Sequence, residues 1–170
     1  MEPLFCSKFQ YSGYLKSSIK QKTEIMRQEE LTEKVVEHIK REDNFANWLG
    51  VEVLKSTPGY AKIKMQIRKD MINSFGSCHG GVTFAFAQTA LAFASNNYGN
   101  IEVALDTSMA FTSPLFEGDE IIAETTEESR KNKVAVYTIS VYKTDGTKAG
   151  VFRGTVYRTN RRYFPEIETD

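Results

Sequence analysis

The chain has 170 residues, and its 22 lysines and arginines balance 22 aspartates and glutamates, so the formal net charge is zero at pH 7. This length fits one domain with a single core. Because balanced charge leaves no overall electrostatic footprint, we expect neither nucleic acid nor a membrane surface as a partner. Two cysteines, Cys6 and Cys78, are too few for a disulfide framework, and we expect a soluble, cytoplasmic protein.

The amino-terminal part, residues 1–25, has aromatic residues and lysines but no apolar run long enough for a signal sequence. We interpret it as an extension that precedes a single domain over residues 26–160. The alternative is a structured arm that covers a sheet edge or a neighbouring subunit. The last residues, 161–170, are expected to form a tail on the surface.

The first predicted element of the domain is an amphipathic helix from Glu24 to Arg41, where apolar residues recur at helical spacing among charged ones. His38 lies on this helix among lysines and glutamates, and we expect it to be solvated. A further short helical turn follows, capped by Asp43 or Asn44 and ended by Gly50.

Six segments have the apolar and polar alternation or the turn-bounded apolar pattern that is typical of strands. The first two are joined by Pro58-Gly59, and the last two by a turn that contains Asp145-Gly146, a strong hairpin signal. The last four strands follow one another closely and predict an antiparallel meander. The six segments are 51–57, 60–68, 101–111, 119–129, 134–143 and 147–158.

Between the second and third strands lies the most apolar part of the chain. From Val82 to Ala94 the only strongly polar residue is Gln88, and Gly99 offers a stop signal. A helix that is apolar all round is predicted to be buried on every side. The element order therefore predicts an α+β fold, a curved antiparallel β-sheet wrapped around one long central helix. Such a sheet leaves edges that a second copy could cover, so we expect a dimer at least.

The turn that precedes the central helix contains the residues that could take part in binding or catalysis. Gly76-Ser77-Cys78-His79-Gly80 resembles a nucleophile elbow, but that motif needs a parallel α/β sheet and a later histidine, so Cys78 is interpreted as a small buried thiol. Two histidines and two cysteines form no known ligand set, and we expect no metal.

Gly80 and Gly81 stand at the start of the helix, where backbone N–H groups lack partners within the helix. Without side chains, these donors are open to a ligand and can polarise a carbonyl or hold an oxyanion. The alternative is that the glycines serve close packing of the helix on the sheet.

The spacing of Asn73, Gly76 and His79-Gly80-Gly81, with Ser113-Pro114 and Gly118-Asp119 further on, resembles the PaaI-like acyl-CoA thioesterases of the hotdog-fold superfamily over residues 40–158. This resemblance implies a hotdog dimer, often paired into a tetramer, that binds acyl-CoA at the dimer interface. It also implies that the thioester carbonyl lies near Gly80 or Gly81, with Asn73 and His79 shaping the pocket.

The resemblance places the catalytic carboxylate of the family at the position of Gln88. An amide has no basic oxygen at neutral pH and cannot act as a nucleophile or general base, although it can orient a water. We therefore predict an acyl-CoA thioesterase whose catalytic group contains Gln88, Gly81, Asn73 and His79. The alternative is a hotdog protein that binds or senses acyl-CoA without cleaving it.

The candidate substrate-binding residues are Gly80 at the start of the helix, Phe84 within it, and Asp106 and Ser108 on the next strand. Phe84 and its neighbours suggest an apolar or aromatic acyl group, although they could equally be core residues. No cofactor is expected beyond the coenzyme A that forms part of the substrate.

Overall fold

The fold is a six-stranded antiparallel sheet with a helix packed against it, in a computed structural model that describes residues 7–167. All six predicted strands and the central helix are present. Side chains are described from residue 18 onward. The helices are α1 Ser7–Glu42, α2 Asn44–Leu49 and α3 Gly80–Asn96, and a 3-10 turn spans Lys69–Met71. The strands are β1 Glu52–Thr57, β2 Tyr60–Gln66, β3 Asn100–Phe111, β4 Glu120–Lys131, β5 Val134–Lys143 and β6 Lys148–Arg162.

The order of strands across the sheet is β1-β2-β4-β5-β6-β3, so the predicted α+β hotdog arrangement is confirmed, whereas the meander of four strands is wrong. Only β4, β5 and β6 form a meander, and β3 pairs with β6 at the far edge. The physical reason is α3, a rod of about 25 Å at about 1.5 Å per residue. It contacts all six strands. After β2, the chain therefore crosses the sheet through α3 and enters β3 at the far edge. The segment 112–119 then crosses back to β4, which pairs with β2.

A β-bulge in β3 changes which residues face the helix. Ala104 pairs with Val156 and Asp106 pairs with Thr155, so Leu105 is the extra residue. Because residues directly opposite each other in a sheet share a face, the bulge shifts the alternation by one position. Met109 and Phe111 pair with Phe152 and Gly150 of the inner face, whereas Val103 pairs with Tyr157 of the outer face. Strict alternation without the bulge would place Val103 on the same face as Met109 and Phe111.

The core forms where α3 lies on the inner face of the sheet. Phe86 and Phe93 of α3 are buried, and Phe84 packs edge to face on Phe152 with ring centroids 5.1 Å apart. A Cβ atom at Gly154 would lie 2.6 Å from Leu91 Cδ2, so glycine is required there for the helix to approach β6 so closely.

The prediction that α3 is buried on every side is wrong along one stripe. Gly81 and Gln88 are exposed, and Ala85 and Ala92 are half-buried. These residues are spaced by four, three and four positions, which places them on one side of a helix. No other element in the described part of the chain covers this open stripe.

Helix α1 begins at Ser7, well before the predicted start at Glu24, and runs through the predicted boundary between extension and domain. Its buried residues Leu31 and Val35 pack into the core, and Gln28 Nε2 donates to the carbonyl oxygen of Asn97 over 2.8 Å. Gly99, with φ +88°, lets α1 approach the end of α3, since a Cβ there would lie 2.6 Å from Leu31 Cδ2. The domain boundaries at residues 25, 26 and 160 remain predictions.

The carboxyl-terminal tail also packs against α1. His38 is half-buried, and its ring lies edge to face with Tyr163 at 5.3 Å and Phe164 at 6.1 Å. Ile167 is buried. The expectations of a solvated His38 and of a surface tail are therefore wrong up to residue 167, because aromatic residues of the tail cover the helix. Residues 168–170 of that predicted tail lie outside the described residues.

The short helix α2 has the caps that the sequence predicts. Asp43 Oδ1 accepts hydrogen bonds from the N–H groups of Phe45 and Ala46, each over 3.0 Å, and Gly50 ends the helix with φ +76°. Across residues 7–167, no helix has both the length and the apolar character that crossing a membrane requires.

Candidate active site

The site begins with a tight turn that Asn73 organises. Its Oδ1 accepts hydrogen bonds from the N–H of Phe75 over 2.8 Å and of Ser77 over 3.3 Å, and its Nδ2 donates to Ser77 Oγ over 3.1 Å. Gly76 adopts φ +81° within the turn. These bonds engage both ends of the Asn73 amide, so its role in this structure is to shape the turn. Phe75 at the tip is 90% exposed.

His79 caps the amino end of α3. Its Nδ1 accepts a hydrogen bond from the Gly81 N–H over 3.0 Å, and its own N–H donates to the Met71 carbonyl oxygen over 2.9 Å. Because Nδ1 is the acceptor, the neutral ring carries its proton on Nε2. The Gly81 donor is therefore engaged by the cap, while the Gly80 N–H has no acceptor within the described residues.

A cavity of about 310 Å³ lies beside Gly80. The ring of Phe111, at the end of β3, lies close to this glycine. A Cβ atom at Gly80 would lie 3.2 Å from Phe111 Cζ. The missing side chain therefore leaves room for Phe111 and keeps the helix end open toward the cavity. The cavity is lined by Ser77, Cys78, Gly80, Thr83, Phe111, Thr112, Ser113, Pro114, Leu115 and Ala149.

Cys78 lines this cavity as a buried thiol and not as an activated nucleophile. Its Sγ lies 3.8 Å from Thr83 Oγ1, and Cys78 is 8% exposed. Burial raises the pKa of the thiol above its ordinary value, so the protonated form is favoured. This agrees with the interpretation from the sequence. Cys6 lies outside the described residues.

Gln88 lies on the open stripe of α3, with its side chain exposed. Gln88 lies seven positions after Gly81, which is about 10 Å along the helix axis. The amide of Gln88 and the amino end of the same helix therefore face the same side but lie too far apart to contact one small group together.

The structure brings Asn73, His79, Gly80 and Gly81 together at the start of α3. It does not bring the other candidates to that point. Phe84 belongs to the core beside Phe152. Asp106 and Ser108 pair with Thr155 and Arg153, which places them on the sheet face away from α3.

The cavity under Phe111 is the feature that sequence reasoning missed. Gly80, which leaves room for Phe111, lies 31 positions before it in the sequence. The signal that could have revealed the cavity was a glycine at the first position of the helix, Gly80, together with an aromatic residue at the end of the next strand, Phe111.

An antiparallel sheet against a long central helix, with a glycine turn at the amino end of that helix, defines the hotdog class of proteins. Residues 75–149 match the family model described as the thioesterase superfamily. Acyl-coenzyme A thioesterase PaaI of Escherichia coli K12 is 32% identical over 116 residues, which cover 68% of this chain and 83% of the relative.

Solved structures give the same result. The structure of the E. coli PaaI protein from the phenylacetic acid degradation operon has a TM-score of 0.76 and 28% identity, covering 78% of this chain and 96% of that one. The protein smu.793 of Streptococcus mutans UA159, solved bound to acetyl-CoA, has a TM-score of 0.64 at 17% identity, covering 66% and 90%, and shows the fold alone. The chain belongs to the thioesterase superfamily, among its PaaI-like hotdog members.

Proposed function

We propose that this protein is an acyl-CoA thioesterase that hydrolyses an acyl-CoA to the free acid and coenzyme A. The observation that carries the proposal is the open amino end of α3, where Gly80 lines a cavity and its backbone N–H has no acceptor within the described residues. Membership of the thioesterase superfamily and similarity to the E. coli acyl-CoA thioesterase support this activity. Acetyl-CoA bound to the S. mutans protein supports an acyl-CoA ligand for the fold.

The thioester carbonyl is proposed to lie at the helix start. The free Gly80 N–H and the positive end of the helix dipole stabilise negative charge on that oxygen as the tetrahedral intermediate forms. His79 holds the Gly81 N–H in place through Nδ1. Loss of one donor at such a site lowers the rate by on the order of 10²-fold to 10³-fold.

Gln88 is proposed to orient the attacking water by accepting a hydrogen bond through its amide oxygen. Reacting atoms need to approach to about 3–3.5 Å, whereas Gln88 lies about 10 Å along the axis from Gly81 of its own helix. A site that uses both therefore combines the helix end of one copy with Gln88 of a second copy. The open stripe of α3 is the surface along which the second copy would lie.

The test is release of free coenzyme A from short, long and aromatic acyl-CoAs by the wild-type protein, Gln88→Ala and Gln88→Asp. We expect turnover by the wild type, at least a tenfold loss of kcat in Gln88→Ala, and faster turnover in Gln88→Asp because a carboxylate can act as base or nucleophile. Gln21→Ala is the matched control, since Gln21 is an exposed glutamine on α1 away from the site.

A second candidate function, binding of acyl-CoA without cleavage, is favoured by the amide at position 88. Its signature is an acyl-CoA that binds to the wild type with no release of coenzyme A, together with activity that appears only in Gln88→Asp. That outcome would replace the thioesterase proposal. If none of these variants bound any acyl-CoA, both functions would be lost.

A further inference from the structure

Helix α1 extends far beyond the part that packs on the domain. The 36 residues of α1 span about 54 Å at about 1.5 Å per residue. Its contacts with the core begin near Gln28, whose side chain bonds to Asn97, and include buried Leu31 and Val35. We call the preceding residues 7–27 the arm.

The arm carries positive charge, although the net charge of the whole chain is zero. Residues 7–23 contain four lysines, Lys8, Lys16, Lys20 and Lys22, and no aspartate or glutamate. The first acidic residue after the start of the arm is Glu24, which pairs with Lys20 at 3.5 Å. The charge balance of the whole chain therefore does not describe this segment.

The arm also has an apolar stripe. Tyr11, Leu15, Ile19 and Met26 follow one another at spacings of four, four and seven, which places their backbone positions on one side of a helix. Lys8 and Lys22 have helical positions on the same side, so this stripe combines apolar residues with lysines. Ile19 is 64% exposed and Met26 is 60% exposed. At about 100° per residue, this stripe lies about 170° around the axis from Gln28, Leu31 and Val35, which pack on the domain. The body of the same chain therefore does not cover Ile19 or Met26.

Charge decides which partner fits this stripe. A second copy of the arm would bring a lysine segment against an identical one, and like charges repel. An anionic surface is attracted instead, and lysines beside an apolar stripe can bury their stems while the ammonium groups reach outward.

We propose that the arm is a peripheral binding segment for anionic lipid bilayers. The apolar stripe enters the boundary of the bilayer, and the lysines contact the anionic head groups. The catalytic domain would then remain in water, joined to the surface by the continuous helix α1.

The test is co-sedimentation of the full-length protein with vesicles of phosphatidylcholine alone or of phosphatidylcholine mixed with phosphatidylglycerol. We expect binding to the anionic vesicles only, and weakening as salt rises, because the attraction is screened. The triple variant Lys8→Gln, Lys16→Gln and Lys22→Gln should bind about 100-fold more weakly, since each lysine near an anionic surface contributes roughly a fivefold factor. The matched control is Lys69→Gln, Lys131→Gln and Lys148→Gln, three exposed lysines of the domain, which should bind like the wild type.

A second pair of changes tests the stripe. Ile19→Gln with Met26→Gln should also weaken binding, whereas Gln21→Ala on the polar side should not. Circular dichroism of each variant checks that the helix content is retained. Equal binding to neutral vesicles, equal effects of the arm and control triple variants, or no binding to either vesicle would overturn the proposal. It would also be overturned if the stripe variant changed only the oligomeric state, because the arm would then join copies of the chain.

Discussion

At the site itself, the histidine that caps α3 makes a hydrogen bond whose contribution to stability can be measured. His79 Nδ1 accepts from the Gly81 N–H over 3.0 Å and thereby satisfies one of the orphan donors of the helix. Loss of a side-chain cap costs typically about 1 kcal/mol, within about 0.5–2 kcal/mol.

We therefore expect His79→Ala to lower the free energy of unfolding by about 1 kcal/mol. His79→Asn should keep most of that stability, because asparagine is among the best N-cap residues. Urea unfolding at one fixed protein concentration measures both, since association changes the apparent stability. A loss in His79→Asn as large as that in His79→Ala would show that the ring matters beyond its capping bond.

A buried charge cluster holds the start of β3 against β4. Glu102 has a fully buried side chain, and Arg130 donates to it over 2.6 Å through Nη1. Arg130 also donates to Glu127 over 2.9 Å and to the Tyr137 hydroxyl over 2.6 Å. Burial disfavours the charged guanidinium, but the bonds to Glu102 and Glu127 outweigh it and raise the pKa of Arg130.

Removing one partner from such a cluster leaves an uncompensated buried charge. We expect Arg130→Met to lower the free energy of unfolding by about 3–5 kcal/mol, and Glu102→Met added to it to restore part of that loss. The control is Lys34→Met, which breaks a pair with Glu30 whose side chains are 46% and 56% exposed and should change stability by less than about 1 kcal/mol. Additive losses in the Arg130 and Glu102 double variant would contradict this account.

At the scale of elements, the contact of α3 with β6 depends on one glycine. A Cβ atom at Gly154 would lie 2.6 Å from Leu91 Cδ2 and 3.1 Å from Phe152 Cε1. Gly154→Ala should therefore push the helix from the sheet and lower the free energy of unfolding by about 1–3 kcal/mol.

Leu91→Ala provides the internal check for that contact. In the Leu91→Ala background the added methyl group has space, so the cost of Gly154→Ala should fall to less than half, as measured by a double-mutant cycle in urea. Thr155→Ala on the same strand is the control for a change on β6 that does not face α3. An unchanged cost of Gly154→Ala in both backgrounds would show that helix α3 is not what resists it.

The sequence predicted the elements far better than their arrangement. Alternation and turn residues located all six strands, because these signals are local. The bulge at Leu105 and the pairing of β3 with β6 depend on long-range contacts that no local pattern encodes. The open stripe at Gln88 was hidden for a related reason, since composition shows that a helix is apolar but not which side its own chain covers.

In the candidate site, too, the residues that are close in sequence were predicted, whereas the long-range contact was not. Asn73, His79, Gly80 and Gly81 are close in sequence, so a motif was enough to group them. Phe111 reaches Gly80 only through the course of β3, and this contact could not be read from spacing.

At the scale of the whole molecule, the two edges of the sheet differ in how they discourage pairing. Edge strand β1 is short, has a register shift between Val53 and Lys55, and places charged Lys55 at that irregularity. Such features protect an edge from pairing with another chain. Edge strand β3 has 12 residues, with Val103 45% exposed and Leu105 60% exposed. Strand β3 also has a bulge at Leu105, but its greater length and its exposed apolar residues leave it more open to pairing than β1.

We expect a dimer in which β3 contributes to the contact and the open stripe of α3 is covered. Leu105→Lys should then convert the protein to monomers and abolish coenzyme A release, because Gln88 of a second copy would no longer reach the helix end. Leu54→Lys is the matched control on the other edge, where Leu54 is 43% exposed, and it should keep both the dimer and the activity. Sedimentation velocity and the coenzyme A assay on the same samples measure the two properties together. A wild-type monomer that is fully active, or a Leu105→Lys monomer that retains turnover, would mean that one chain completes the site without a partner.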